Sequence, residues 1–186
     1  MYRTPRAALA LALAATLAGC GDDPFAPDLA PQGEARFTYT GERSGQFEGS
    51  GRLNRRNPNA GAWGIGELQD FEDTQILGVF AQERRPDLLI DGLIIEWEGA
   101  QIGSVTCDAT TVECPFSAVF VVGTDRFSGT SEAQYARARG TLTVTQLTDD
   151  RAVGTFSLTL LRQVSGDQPP TIQGSGTFDV PLNVLD

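Results

Sequence analysis

The chain has 186 residues, 24 of them acidic and 14 basic, and it contains neither histidine nor lysine. This composition excludes Ser-His-Asp and Cys-His catalysis, histidine-ligated zinc, Schiff-base lysines and the Walker A lysine. The formal net charge of −10 disfavours nucleic acid and anionic membrane surfaces as direct partners. We therefore predict a non-enzymatic protein with no cofactor and no metal site.

The N-terminus has the features of an export signal. Two arginines precede an unbroken run of Ala, Leu and Thr over 7–18, which has the length of a signal-peptide core and is too short for a bilayer core of about 30 Å. The run ends in Leu17-Ala18-Gly19-Cys20, which resembles the lipobox of bacterial lipoproteins. The resemblance implies cleavage before Cys20, a diacylglycerol on its sulfur and acyl chains such as palmitate. It also implies residence in the cell envelope, at the outer membrane or the cell surface.

Three segments follow from this reading. Residues 1–19 are the predicted signal peptide, which would form a helix, and residues 20–33 are a lipid-anchored tether because prolines interrupt them without periodicity. Residues 34–186 are predicted to form one domain, since no second break in composition occurs. Without the two signal-peptide arginines, 12 arginines face 24 acidic residues, and the mature chain has a formal charge of −12.

Two cysteines remain after Cys20. Cys107 and Cys114 lie close together in sequence, and in an exported chain such a pair predicts a disulfide. A redox-active pair is the alternative, but redox motifs have a closer Cys-x-x-Cys spacing at a helix start.

Alternation of apolar and polar residues runs through most of the domain. The last segment is the clearest, with Ile172, Phe178 and Val180 on one face and threonines and serines on the other, as in a half-buried antiparallel strand. A Thr-rich hairpin precedes it, turning at Asp149-Asp150. We predict an all-β domain, an antiparallel β-barrel or β-sandwich of about 8–10 strands, with a lipocalin-like barrel as the first choice. The other predicted strands are 35–41, 45–53, 61–68, 74–82, 87–98, 100–106, 112–122 and 126–135.

Three local patterns leave alternatives open. Leu88 to Trp97 is either two short strands around a turn at Asp91-Gly92 or one strand with a local bulge, and we favour the single strand. Ala133 to Arg139 is the only stretch predicted to form a short helical turn. Gly-x-Gly pairs such as Gly174/Gly176 either let strands coil sharply or leave the interior hollow for a ligand.

The C-terminal half also resembles a family of β-rich bacterial lipoproteins of unknown function. The resemblance rests on the Thr-rich hairpin over 140–161, on the Gly-Thr-Phe segment over 176–182 and on the turn over 99–103. The resemblance implies the same fold and the same location in the cell envelope, and it leaves the function open.

A few residues are candidates for a binding site. Glu96 and Glu98 share one strand face with Trp97 opposite, and Trp63 is a second tryptophan able to stack on a sugar. Paired carboxylates also serve glycoside hydrolysis. The sequence thus predicts a lipid-anchored envelope protein that binds a small molecule, a glycan or an envelope partner. A carboxylate-dependent hydrolase acting on glycans and a structural or assembly protein are the alternatives.

Overall fold

The computed structural model describes residues 32–52, 61–65, 76–108, 110–111, 113–125, 127–164 and 168–182. The signal peptide, the lipobox with Cys20 and most of the tether lie outside these residues and stay predictions. Within the described part of the chain, no helix has the length and apolar character needed to cross a membrane.

The described residues form ten β-strands and no helix. Residues of one face alternate with residues of the other along most strands, as the period-two pattern requires. The strands are β1 (Gln32–Gly41), β2 (Gly45–Arg52), β3 (Gly61–Ile65), β4 (Ile76–Arg84), β5 (Ile90–Glu98), β6 (Gly103–Cys107), β7 (Phe116–Thr124), β8 (Ser131–Leu147), β9 (Arg151–Arg162) and β10 (Thr171–Pro181).

All ten strands belong to one antiparallel sheet that nearly closes into a barrel. The hydrogen-bonded order is β2-β1-β10-β9-β8-β7-β5-β4-β3, and β6 pairs with β8 beside β7. The two ends of this order lie next to each other, since β2 at one end contacts both β3 and β4 at the other. At that seam the Glu48 amide donates to the Glu83 carboxylate at 2.9 Å. The prediction of an all-β, barrel-like antiparallel fold is confirmed.

Several details differ from the sequence-based expectations. β1 begins at Gln32, where it pairs with Arg52, rather than at residue 35, so the first strand starts within the segment predicted as tether. The apolar stretch before Trp97 is one strand with a register shift near Gly92, as we favoured. The helical turn predicted for Ala133 to Arg139 is wrong. This stretch belongs to the 17-residue β8, where a register shift and a positive φ of 55° at Arg137 break the alternation that would have marked a strand.

Aromatic side chains fill the interior of the barrel. Phe37 and Phe120 lie 5.3 Å apart between ring centroids in an edge-to-face arrangement, and Phe120 also contacts Tyr39 at 5.1 Å and Phe47 at 5.6 Å. Phe156 extends this cluster by lying 5.6 Å from Phe37. Such contacts stabilise by about 0.5–1.5 kcal/mol per pair beyond the burial of area.

The glycines of the inner face make room for these rings. A methyl group on Gly176 would lie 2.3 Å from the ring of Phe156, and one on Gly154 would lie 2.4 Å from the ring of Phe178. The space next to these glycines is therefore occupied by aromatic carbon. At Gly176 this supports a packed interior rather than a hollow one.

The predicted disulfide is present. The sulfurs of Cys107 and Cys114 are 1.97 Å apart, and the bond joins the end of β6 to the segment before β7. Cys107 is buried and Cys114 is exposed. The Asp108 carboxylate, which directly follows β6, accepts hydrogen bonds from the amides of Thr110 at 2.8 Å and Thr111 at 3.1 Å.

Loss of this disulfide should weaken the fold measurably. We expect Cys107→Ala/Cys114→Ala to lower the free energy of unfolding by about 2.5 kcal/mol, because a short closed loop constrains the unfolded chain by about that amount. Urea denaturation of both proteins gives the value. Wild-type protein whose disulfide has been reduced should be as unstable as the double variant. Equal stability of the oxidised wild type, the reduced wild type and the double variant would contradict a structural role for the disulfide.

Candidate functional site

One end of the barrel carries an open cleft. At this end, which we call the rim end, β1, β4, β7 and β9 finish and β2, β5, β8 and β10 begin. The cleft, called the rim cleft, measures about 520 Å³. That is within the range of small-molecule sites, about 300–1,000 Å³. Its lining is Tyr39, Arg43, Ser44, Gln46, Glu83, Arg85, Asp91, Val122 and Glu132.

Two arginines and one carboxylate form the upper part of the rim cleft. Oε2 of Glu132 accepts from Nη1 of Arg43 at 2.9 Å and from Nη1 of Arg85 at 3.3 Å. These hydrogen bonds hold the pKa of Glu132 below its usual range and raise the pKa of Arg43. Arg85 is held a second time by Asp87 at 2.7 Å. Both guanidinium groups are thus paired with carboxylates of the protein itself.

Asp91 lies deeper in the rim cleft. Its side chain is only 14% exposed, and Oδ1 accepts from the Gly123 amide at 2.7 Å. Burial is the main reason that the pKa of Asp91 is raised above its usual value, and the Gly123 amide and Arg85 act against that rise. The cleft therefore holds two carboxylates whose pKa values move in opposite directions, which is the arrangement that acid–base catalysis uses.

The opposite shifts predict opposite responses to charge removal. A carboxyl group whose pKa is higher in the folded than in the unfolded protein destabilises the fold when it is ionised. This destabilisation disappears as the pH falls through the raised pKa of the folded protein to the ordinary value of 3.8. We expect Asp91→Asn to be more stable than wild type at pH 7 and to lose this advantage near pH 3.5. Glu132→Gln should be less stable at pH 7, because a lowered pKa stabilises the fold until the pH falls through it.

Urea midpoints of the three proteins between pH 3.5 and 7 provide the measurement. The difference between each variant and wild type should shrink towards acid pH, with opposite signs for the two variants. If both variants shifted stability in the same direction at pH 7, burial would not dominate the ionisation of Asp91.

Tyr39 forms part of the buried wall of the rim cleft. Its side chain is 8% exposed, and its ring packs on Phe37 and Phe120. Its side chain lines the cleft, and its hydroxyl oxygen lies close to Gly45 at the start of β2, where an added methyl group would be 2.8 Å from it. Burial and the nearby charge of Asp91 raise the pKa of Tyr39, so that the hydroxyl keeps its proton and remains a donor. No side-chain nitrogen or oxygen atom of the described residues is both buried and without a hydrogen-bond partner, so Tyr39 is not an unsatisfied group of the core.

A second buried tyrosine at the rim end is satisfied by the protein itself. Tyr135 is fully buried, and its hydroxyl donates to Oε2 of Glu42 at 3.1 Å. Glu42 also pairs with Arg162. This chain of contacts links the turn after β1 to β8 and β9 and stabilises the wall around the cleft.

The sequence-predicted candidates do not gather at the rim cleft. Trp97 is buried in the core near the opposite end of the barrel, and Glu96 and Glu98 lie on the outer face of β5, as their alternation predicted. Glu96 is half-buried, which raises its pKa, and accepts from the Ser117 hydroxyl at 3.4 Å. Trp63 pairs with Phe80 through the backbone of β3 and β4, and its side chain, like Cys20, lies outside what the structure describes.

The residues of the rim cleft were missed because they are far apart in the sequence. Two signals were nevertheless present. Asp91 interrupts an apolar run, and Tyr39 places a hydroxyl on the inner phase of β1 after Ala35 and Phe37. A polar side chain at an inward-facing position near the end of a strand indicates that this strand end lies at the mouth of a barrel. The register between strands then determines which of these strand ends lie next to each other.

Glu132 is held by two guanidiniums and Asp91 by a backbone amide, so both carboxylates already have partners within the protein. The described residues contain no group of three acidic, cysteine or histidine side chains that could hold a metal ion. Comparison of the chain with protein-family models, with curated proteins and with solved structures found no match.

Proposed function

We propose that this is a lipid-anchored, non-enzymatic binding protein of the cell envelope, and that the rim cleft binds a small polar ligand. The observation that carries the proposal is an open cleft of about 520 Å³ in which Glu132 holds two arginines, and Tyr39 and Asp91 lie in the same lining. Preorganised polar groups around a concave site give affinity because little ordering remains to be done on binding.

Anchoring through Cys20 fits this site. β1 starts at the end of the barrel opposite the rim end, because Glu34 pairs with Asp179 near the end of β10. A tether entering at Gln32 would therefore leave the rim cleft facing away from the lipid. The lipobox, the acidic charge and the disulfide all suit an exported protein.

Two measurements test the proposal. Mass spectrometry of the N-terminal peptide should show a diacylglyceryl cysteine, and Cys20→Ala should leave the membrane fraction. Native mass spectrometry of protein from its own cells should detect a bound ligand. That adduct should be lost in Arg43→Ala and kept in Arg151→Ala, which removes an arginine paired with Asp179 at the opposite end. An unlipidated wild type, or an adduct that survives Arg43→Ala, would contradict the proposal.

A second candidate function is binding of an envelope protein at the rim end. Phe127 is 98% exposed in the connection between β7 and β8, where the Asp125 carboxylate accepts from the amides of Phe127 and Ser128. In the neighbouring β4–β5 turn, Leu88 is 64% exposed with a strained φ of 70°. Aromatic residues such as phenylalanine are enriched at protein interfaces relative to the rest of the surface.

In-cell photo-crosslinking distinguishes this candidate. A photoreactive residue at position 127 should give one discrete adduct, and Leu88→Ser should abolish it. The same residue at position 102 is the control, because Ile102 is 65% exposed in the turn between β5 and β6, away from the rim end. Equal adducts at both positions would contradict a specific partner.

A further inference from the structure

We infer that the ligand of the rim cleft is a neutral saccharide. This inference rests on the proposed function, because it names the ligand class of the same site. It follows from the charge balance, the hydrogen-bonding groups and the shape of the cleft.

The charge balance disfavours both signs of charged ligand. Two guanidiniums, of Arg43 and Arg85, face three carboxylates, of Glu83, Asp91 and Glu132. An anion would have to compete with Glu132, which already binds both arginines. A cation would have to bind Glu132, and the two guanidinium groups already paired with this carboxylate would repel it. A neutral ligand disturbs neither pairing.

The hydrogen-bonding groups are mixed in kind. Arginines are donors only and ionised carboxylates are acceptors only, whereas the Gln46 amide and the Ser44 hydroxyl are both. A sugar hydroxyl donates and accepts at once, and several hydroxyls on one ring can use donors and acceptors that lie side by side. A ligand with only acceptors or only donors could use only one of these two kinds of group.

The buried wall supplies an orienting contact. The Tyr39 hydroxyl, which keeps its proton because its pKa is raised, is a donor in the lining, and Val122 adds an apolar side chain to the same lining. A pyranose has the matching combination of a hydroxylated edge and a face of C–H groups. Access is not restrictive, because the cleft opens to solvent at the rim end, so that the end of a longer glycan would fit as well as a free disaccharide.

The experiment is a titration of the mature, detergent-solubilised chain, labelled with ¹⁵N, with cellobiose and N,N′-diacetylchitobiose. Glucosamine and glucuronic acid serve as the cationic and anionic probes. We expect the neutral disaccharides to shift the amide signals of Gly123 and Val122 and to bind more tightly than either charged sugar. Tyr39→Phe, which removes one oxygen, should weaken binding roughly 3- to 10-fold.

Two further variants keep the test decisive. Gln46→Ala changes an exposed residue of the cleft and should weaken binding without affecting folding, whereas Gln146→Ala changes an exposed glutamine of β8 outside the cleft and should leave affinity unchanged. Tighter binding of a charged sugar, or unchanged affinity in both Tyr39→Phe and Gln46→Ala, would overturn the saccharide inference. The proposed function fails separately, if no ligand of any class co-purifies in a manner that depends on Arg43.

Discussion

Replacing Gly140 with alanine should prevent stable folding. Gly140 has a φ of 136°, and a methyl group there would lie 1.9 Å from the carbonyl oxygen of Ser157 on β9. The backbone of a central strand would have to move, and that strand pairs with both β6 and β9. We expect a loss of about 5 kcal/mol or more, in the range that marks a diagnostic defect, measured by urea denaturation or by recovery of soluble protein.

Gly103→Ala is the matched control. Gly103 has nearly the same φ, 140°, but a methyl group there would meet nothing within 4 Å. Only the backbone strain remains, about 1–3 kcal/mol. The difference between the two variants therefore isolates the close approach of β8 and β9. Similar losses in both variants would show that conformation alone, and not this contact, requires glycine at position 140.

Phe120→Ala should cost about 3–5 kcal/mol in the free energy of unfolding, as large-to-small changes in packed cores do. Phe120 is fully buried and contacts three other aromatic rings. The same substitution at Phe127, which is 98% exposed, should change stability by less than about 0.5 kcal/mol. Denaturation curves of the two variants give the comparison.

The outcome at Phe120 also bears on where a ligand binds. A small loss would mean that the interior tolerates a void, and the hollow-barrel interpretation of the Gly-x-Gly segments would return. A large loss would leave the rim end as the place for a ligand. The core and the rim cleft meet at Tyr39, whose ring contacts Phe120, so Phe120→Ala should weaken saccharide binding as well.

Local patterning in the sequence was sufficient for the fold class. The alternation of Ile172, Phe178 and Val180 predicted β10, and Cys107 and Cys114 predicted their disulfide, because each signal depends on near neighbours in the chain. β8 was harder to predict, since the backbone irregularity at Arg137 hides its continuity. The pairing of β6 with β8 depends on contacts between distant residues, which no local pattern encodes.

The rim cleft was beyond sequence reasoning for the same reason. Arg43, Arg85 and Glu132 come from three separate turns or strands, and they meet only because the register of the sheet brings the rim-end turns together. Trp97 and the Glu96/Glu98 pair attracted attention because they are chemically conspicuous, yet their places in the core and on the outer face of β5 follow from ordinary alternation.

The short strand β6 has one more consequence. Among the described strands it pairs with β8 alone, and its five residues protect the part of β8 from Gly140 to Val144 that β7 does not reach. The Cys107–Cys114 bond keeps this cover attached. A chain whose thiols are still reduced would hold β6 more loosely and present an open strand edge to other copies, which is how sheets aggregate. Oxidation after export would thus act as a safeguard against self-association.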